Sequence, residues 1–172
     1  GGGACRCWVP SRATRVTLKQ AVNWERGQSI ALATSIYQDL SQNQNEVRTI
    51  TAISSDRRTL TLNASLAFAH YGGGEYQSEV ALLSRNLRLV GAASTEAARL
   101  GPQLRVTTFG RLAGVQSLRF GQRNVPGAYP FHFHLVGDGA GQYVTDSAVF
   151  SSFYRCYVIH ATSGVRLENN VG

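Results

Sequence analysis

Apolar and polar side chains alternate along residues 129–138, which read YPFHFHLVGD. The apolar positions of this alternation are Phe131, Phe133 and Leu135. His132 and His134 occupy the polar positions between them. A period of two residues is typical of a β-strand with one buried face. The pattern therefore predicts a strand whose apolar side chains point into a core, with both histidines about 7 Å apart on the outer face.

Short strands of the same kind are predicted along the rest of the chain. Within positions 1–80 they are predicted at 15–18, 29–34, 46–54 and 59–66. Their hairpin-like arrangement favours a small β-barrel or sandwich. Later strands are separated by turn residues and are predicted at 80–83, 87–90, 104–109, 115–120, 131–136, 143–150, 156–160 and 165–167. Equivalent strands recur at irregular intervals, in the low to middle twenties of residues, which is typical of a β-solenoid. Residues 92–100 alone have helical character.

The solenoid interpretation brings a third histidine to the first two. The interval from His134 to His160 is a plausible length for one coil of parallel strands. In this second segment, Tyr157 and Ile159 are predicted on one side, with Cys156 and His160 on the other. His132, His134 and His160 are therefore expected to lie close together.

Composition narrows the class of partner. The formal charge is +7, and all but one of the 17 basic residues are arginine. Such a charge attracts polyanions, but the arginines are scattered and no nucleic-acid motif accompanies them. We expect no nucleic-acid partner; an acidic glycan and a basic surface without a dedicated partner remain open. No apolar run is long enough to cross a bilayer, so any membrane contact is expected through parts outside this segment.

The chain ends and cysteines suggest a piece of a larger extracellular protein. There is no methionine, so Gly1 is not a translation start, and we expect an excerpt of something longer. Cys5, Cys7 and Cys156 fit no zinc spacing. Cys5 and Cys7 are too close to pair comfortably with each other, which leaves Cys156 or a cysteine elsewhere as a partner. Asn63 begins an N-glycosylation sequon that matters only if the chain is secreted.

Several linked motifs resemble a known combination of domains. WERGQSIALATSIY, QNQNEVRTI, TLTLNASLAFAHYG and EVALLSRNLRLVGA resemble the second half of the eight-glycine (G-eight) domain. GQRNVPGAYPFHFHLVGD and YRCYVIHATSGV resemble the right-handed parallel β-helix that follows it in fibrocystin-like proteins and in the family of the cell-migration-inducing hyaluronan-binding protein and transmembrane hyaluronidase. The resemblance implies an all-β fold, with half of a G-eight-like domain at 1–90 and truncated β-helix rungs at 91–172. It also implies an extracellular or cell-surface location.

The histidine set admits three interpretations. Imidazole nitrogens on one face could bind a divalent transition metal, and no other cofactor is expected. The same face could be a polar patch that contacts a glycan, or a structural hydrogen-bonding ladder. Cys156 could be a fourth ligand, although a buried free thiol is commoner.

The remaining polar candidates leave catalysis uncertain. Glycoside hydrolysis needs two carboxyl groups, for which Asp138 and Asp146 are the candidates. Arg155 could bind the carboxylate of an acidic sugar, although an ion pair with Asp138 or Asp146 is the simpler expectation. Glu46 and Glu79 are each expected to anchor a loop by accepting backbone N–H bonds. We therefore expect a non-catalytic adhesion, matrix-assembly or glycan-binding module, with a hyaluronidase-like depolymerase as the alternative.

Overall fold

Runs of alternating apolar residues form short strands throughout this protein, as a computed structural model shows for residues 2–5, 8–37 and 42–172. Cys7 lies outside these described residues, so its pairing stays a prediction. The chain divides into two compact units, unit 1 (1–84) and unit 2 (85–172). The only helix in the described ranges is a single turn, α1 (Thr95–Ala98), within the stretch predicted to have helical character. No described helix is long and apolar enough to span a membrane.

Unit 1 is one antiparallel sheet of six strands. The strands are β1 (Gly2–Ala4), β2 (Arg15–Thr17), β3 (Ser29–Leu32), β4 (Glu46–Ile53), β5 (Thr59–Leu62) and β6 (Glu79–Leu82). Their order in the sheet is β1-β6-β3-β4-β5-β2, and β4 and β5 form the predicted hairpin. The two edge strands meet through a bridge between Cys5 and Leu18, so the sheet closes around its core. The strands predicted in unit 1 are found, and β1 is an additional strand that the sequence did not predict.

A buried polar cluster accompanies the apolar core of unit 1. The Glu46 carboxylate accepts hydrogen bonds from the backbone N–H groups of Ala67 (2.8 Å) and Phe68 (2.9 Å). It also contacts Arg48 and the Nε2 of His70, which is fully buried. Glu46 thus anchors the loop after β5, as predicted, because its buried carboxylate accepts hydrogen bonds from two consecutive backbone N–H groups of that loop. Glu79, in contrast, is exposed on β6.

Unit 2 is a parallel β-helix in which each coil contributes three strands. The strands are β7 (Leu87–Val90), β8 (Leu104–Val106), β9 (Arg111–Ala113), β10 (Val115–Leu118), β11 (Phe131–Asp138), β12 (Tyr143–Thr145), β13 (Ala148–Phe150), β14 (Tyr157–Ser163) and β15 (Arg166–Glu168). They stack into three parallel sheets, β7-β10-β13, β8-β11-β14 and β9-β12-β15. The predicted all-β fold, with a β-rich domain that leads into a parallel β-helix, is confirmed.

The core of unit 2 is built from side chains that point inward from each coil. Phe131 and Phe133 are each 1% exposed, as their alternation predicts. Phe131 packs with Val115 and Val149, while Phe133 packs with Val106 and Val144. Aromatic rings of successive coils stack, since the Phe131 and Tyr157 centroids lie 5.4 Å apart. These layers fix which side chains of β11 face outward.

Two predictions about the strands of unit 2 fail at residues with positive φ. The predicted strand at 143–150 is two strands, because Asp146 adopts φ +51° and turns the chain between β12 and β13. Leu135 was expected in the core but is 63% exposed. Its φ of +56° coincides with a shift in register between His134 and Gly137, which ends the inward alternation of β11.

Close backbone approach makes Gly101 a sensitive position. A Cβ added there would lie 2.1 Å from the carbonyl oxygen of Arg119, a contact with backbone rather than with a flexible side chain. We expect Gly101→Ala to lower the free energy of unfolding by about 1–3 kcal/mol, as overpacking does. Gly74 is the matched control, because an added Cβ meets nothing within 4 Å there. Gly74→Ala should change stability by less than about 1 kcal/mol. Guanidinium titrations followed by far-UV circular dichroism would compare the two, and equal effects would contradict this account.

Candidate functional site

The outer face of the β8-β11-β14 sheet collects three histidines. Because Phe131 and Phe133 face inward, His132 and His134 both project from the opposite face of β11. β14 runs parallel to β11 with His160 directly beside His134. Ring centroids are 4.8 Å apart for His132 and His134 and 5.0 Å apart for His134 and His160. The structure therefore brings together the three histidines that the coil spacing placed on one face.

His132 is the buried member of this histidine cluster (His132, His134 and His160). It is 2% exposed, and its Nδ1 lies 2.9 Å from the carbonyl oxygen of Gly127. Burial lowers the pKa of His132 below its ordinary value, and the charges of His134 and Arg105 lower it further against the opposing effect of the Gly127 hydrogen bond. This environment favours the neutral imidazole, the form that can accept a hydrogen bond or a metal ion.

His134 and His160 form the accessible side of the cluster. His134 is half-buried and His160 is exposed. Their rings stack with 26° between planes, and the two Nδ1 atoms lie 3.1 Å apart. One nitrogen lone pair and one N–H can share this contact, so it also fits the structural ladder considered from sequence.

The cluster lies in a cleft whose other walls carry aromatic and cationic groups. Tyr129 stacks on Tyr154 with centroids 5.3 Å apart and meets the edge of His132. Arg155 lies over the Tyr154 ring at 5.7 Å. The cleft is lined by Arg105, Pro126, Gly127, Tyr129, His132, His134, Arg155, Val158, Ile159 and His160. This combination of rings, imidazoles and guanidinium groups suits recognition of a polar, anionic ligand.

Arg105 and Tyr129 belong to this site but are not candidates on sequence grounds. Arg105 lies on β8, where the parallel register places it beside His132. The interval from Arg105 to His132 is nearly the same as the interval from His134 to His160, so coil spacing was the signal that could have identified it. The interval from Tyr129 to its partner Tyr154 is also close to one coil, so the same spacing could have identified Tyr129.

Cys156 is not part of the cluster. It was expected to share the face of His160, but it precedes the first residue of β14 and packs with the core around Phe131. Its thiol is unbridged, and burial raises the pKa of Cys156. Cys5 is buried in unit 1. The interpretation of Cys156 as a buried thiol is therefore favoured over that of a fourth ligand.

The candidate carboxyl groups lie away from the histidines. Asp138 accepts a hydrogen bond from the backbone N–H of Ala140 (2.9 Å), as an ordinary turn aspartate does. Asp146 is exposed at the corner between β12 and β13, where its carbonyl oxygen accepts a hydrogen bond from Arg85. Neither is among the residues that line the cleft. Arg155 lies over the Tyr154 ring, and its expected ion pair with Asp138 or Asp146 stays a prediction.

Comparisons with known proteins support the resemblance carried by the sequence motifs. Residues 102–172 match the CEMIP beta-helix family. A G8 domain-containing protein of Dictyostelium discoideum is 44% identical over 156 residues, which are 91% of this chain and 14% of that protein. The chain contains G-eight-domain sequence that leads into a CEMIP-type β-helix. Fibrocystin-L of Mus musculus is 27% identical over 91% of this chain and 5% of its own length.

This G-eight and CEMIP-type segment corresponds to only a small part of the length of its relatives. Communication mutant protein F of Dictyostelium discoideum is 39% identical over 98% of this chain and 15% of that protein. The segment thus spans only about a seventh of such relatives, or less. Among solved structures, the tailspike protein gp49 from Pseudomonas phage LKA1 aligns with a TM-score of 0.41 at 12% identity, over 99% of this chain and 29% of that chain.

Proposed function

We propose that this G-eight and CEMIP-type segment is a non-catalytic, extracellular glycan-binding module within a larger cell-surface or matrix protein. The observation that carries the proposal is the cleft over β8-β11-β14, where two arginines, the histidine cluster and Tyr129 face the same space. Binding there would serve adhesion or matrix assembly by the parent protein. The family relationship supports a glycan-related role without fixing the ligand.

The chemistry of the cleft favours an acidic glycan. A guanidinium group can make paired hydrogen bonds to a sugar carboxylate, and Arg155 and Arg105 supply two of them. Imidazole nitrogens of the accessible His134 and His160 can exchange hydrogen bonds with hydroxyl groups. The formal charge of +7 adds a long-range attraction for a polyanion.

Binding is favoured over the depolymerase alternative for a specific reason. Hydrolysis of a glycosidic bond requires two carboxyl groups placed on either side of it. The described residues that line the cleft include two arginines and three histidines but no aspartate or glutamate. Catalysis by the whole parent protein is a separate matter, because this segment covers only a small part of its relatives.

An extracellular location is part of the proposal. Asn63, the predicted glycosylation site, is exposed just after β5, and its Oδ1 accepts a hydrogen bond from the Thr49 N–H (2.8 Å). A sequon on a surface bend is accessible to the glycosylation machinery of a secreted chain. The position of Asn63 is therefore compatible with secretion of the parent protein.

The proposal predicts that Arg155→Ala weakens binding of uronic-acid oligosaccharides about tenfold, equivalent to about 1.4 kcal/mol. Calorimetric titration of the whole chain would measure this, at low and high salt, since screening should weaken an ionic contact. Arg88→Ala is the matched control, because Arg88 is exposed on β7, outside the cleft. It should bind like wild type.

A second arm uses the same oligosaccharides with their carboxyl groups reduced to alcohols. These should bind at least about tenfold more weakly to the wild type and show no further loss with Arg155→Ala. Equal affinity for native and reduced glycans, or equal losses in the Arg155 and Arg88 variants, would reject the cleft as an acidic-glycan site. Shortening of the glycan during incubation would favour the depolymerase instead.

A further inference from the structure

One nitrogen of His132 is buried without a hydrogen-bonding partner. A carbonyl oxygen only accepts, so the Nδ1 of His132 must donate to Gly127. In the neutral ring, the lone pair is then on Nε2. That atom is buried and makes no hydrogen bond to any part of the chain that the structure describes. Leaving a buried polar atom unpaired costs about 1–3 kcal/mol, which is a reason to look for a partner that receives this lone pair.

The other two histidines place their nitrogens around the same point. One ring nitrogen from each of His132, His134 and His160 lies within 4.8 Å of the others. The Nδ1 atoms of His134 and His160 are 3.1 Å apart. Two nitrogens bound to one tetrahedral zinc ion at 2.0–2.1 Å lie about 3.3 Å from each other. A side-chain rotation that moves a ring nitrogen by about 1.5 Å would bring the two most distant nitrogens to this separation.

We propose that His132, His134 and His160 together bind one divalent transition-metal ion, with Zn²⁺ as the best match. Three imidazole ligands leave a coordination position for water or for an oxygen of a ligand in the cleft. The hydrogen bond from His132 to the Gly127 carbonyl is the kind of outer contact that orients metal-binding histidines. This site does not depend on the proposed glycan function.

The ligand set selects against hard cations. Ca²⁺ and Mg²⁺ take oxygen ligands, and no carboxylate of the described residues lines this cleft. Imidazole nitrogens suit Zn²⁺, Cu²⁺ and Ni²⁺. The positive charge of Arg105, which also lines the cleft, disfavours Ca²⁺ and Mg²⁺ further, because these ions would be held mainly by electrostatic attraction. A preference for transition-metal ions over Ca²⁺ and Mg²⁺ is therefore a test of the histidine site.

Calorimetric titration of the whole chain with ZnCl₂ tests the proposal directly. The protein should carry no histidine tag and should be treated with chelator and then dialysed. We expect saturable binding of one Zn²⁺ per chain and none with CaCl₂ or MgCl₂. His134→Ala and His160→Ala should each weaken Zn²⁺ binding by more than about tenfold. Removing a group that only supports a metal ligand already costs at least about tenfold in affinity, so removing a ligand should cost more. Both rings are accessible, so these variants should keep the wild-type circular dichroism spectrum.

His132→Gln tests the buried ligand, and Arg88→Ala is a surface control that should bind like wild type. If His132→Gln fails to fold, the two accessible variants decide the matter. A folded His132→Gln variant with wild-type affinity would reduce the site to a surface pair and overturn the proposal. Absent Zn²⁺ binding, or equal binding of Ca²⁺, would overturn it as well. Because no glycan is added, failure here leaves the glycan proposal intact, and glycan failure leaves this one intact.

Discussion

Replacing Phe131 by alanine should lower the free energy of unfolding by about 3–5 kcal/mol, the usual cost of removing a buried aromatic ring. The side chain is 1% exposed and lies between coils of the β-helix. It contacts Val115 and Val149 and stacks on Tyr157 with only 11° between ring planes. The cavity would open at the centre of unit 2, where neighbouring coils are fixed by their ladders and can collapse only partly.

Denaturant titration followed by far-UV circular dichroism would measure this loss. Phe109→Ala is the matched control, because Phe109 is 60% exposed and contacts Arg111 at 5.0 Å. It should cost no more than about 1 kcal/mol. Both tryptophans, Trp8 and Trp24, lie in unit 1, so their fluorescence reports that unit separately. Equal costs for the two phenylalanine variants would show that Phe131 is not a core residue of the β-helix.

The sequence predicted β11 well because its signal is local. Phe131 and Phe133 are large and strictly alternate with His132 and His134, so the inner and outer faces follow from strand geometry alone. The neighbour of His134 followed from one further quantity, the coil length. The structure gives the predicted neighbour, since His134 pairs with His160.

Prediction failed where a single residue changes the backbone direction. Leu135 and Asp146 both take φ above +50°, and non-glycine residues in that region are uncommon. Leucine rarely takes positive φ, so nothing in LVGD marks Leu135 as a corner. Aspartate takes it more often, so the residue type of Asp146 was compatible with a corner. Continuing the alternating pattern past both corners wrongly predicts Leu135 in the core and predicts β12 and β13 as one strand.

The cleft was only partly predictable for a different reason. Its outer members come from different coils, so they meet only once the register between coils is fixed. Arg105 joins His132 through the ladder of β8 with β11. Tyr129 stacks on Tyr154 at a similar interval along the chain. The histidines of the site could be predicted because two of them also alternate with phenylalanines. Arg105 and Tyr129 carry only the coil spacing, so the folded coil was needed to single them out from the other arginines and tyrosines.

Replacing Glu46 by glutamine should lower the free energy of unfolding by about 2–5 kcal/mol, because this buried carboxylate satisfies several donors at once. One carboxylate oxygen accepts from Phe68 and faces His70, and the other accepts from Ala67 and Arg48. Either orientation of a glutamine amide would place an NH₂ group against at least one backbone N–H donor, that of Ala67 or of Phe68. Glu79→Gln is the matched control, since Glu79 is exposed in the same unit and should change stability by less than about 0.5 kcal/mol.

The pH dependence of the Glu46 effect has a definite sign. Burial alone would raise the pKa of Glu46, but the hydrogen bonds from Ala67, Phe68 and His70 and the charge of Arg48 outweigh it and hold the pKa below the ordinary 4.5. A lowered folded-state pKa stabilises the protein fully above the unfolded-state value and loses that stabilisation as pH falls through the folded-state pKa. The stability difference between wild type and Glu46→Gln should therefore be largest above pH 5 and shrink on acidification. Denaturant titrations followed by tryptophan fluorescence between pH 7 and pH 3 would show it, and a difference that grows in acid would contradict the assignment.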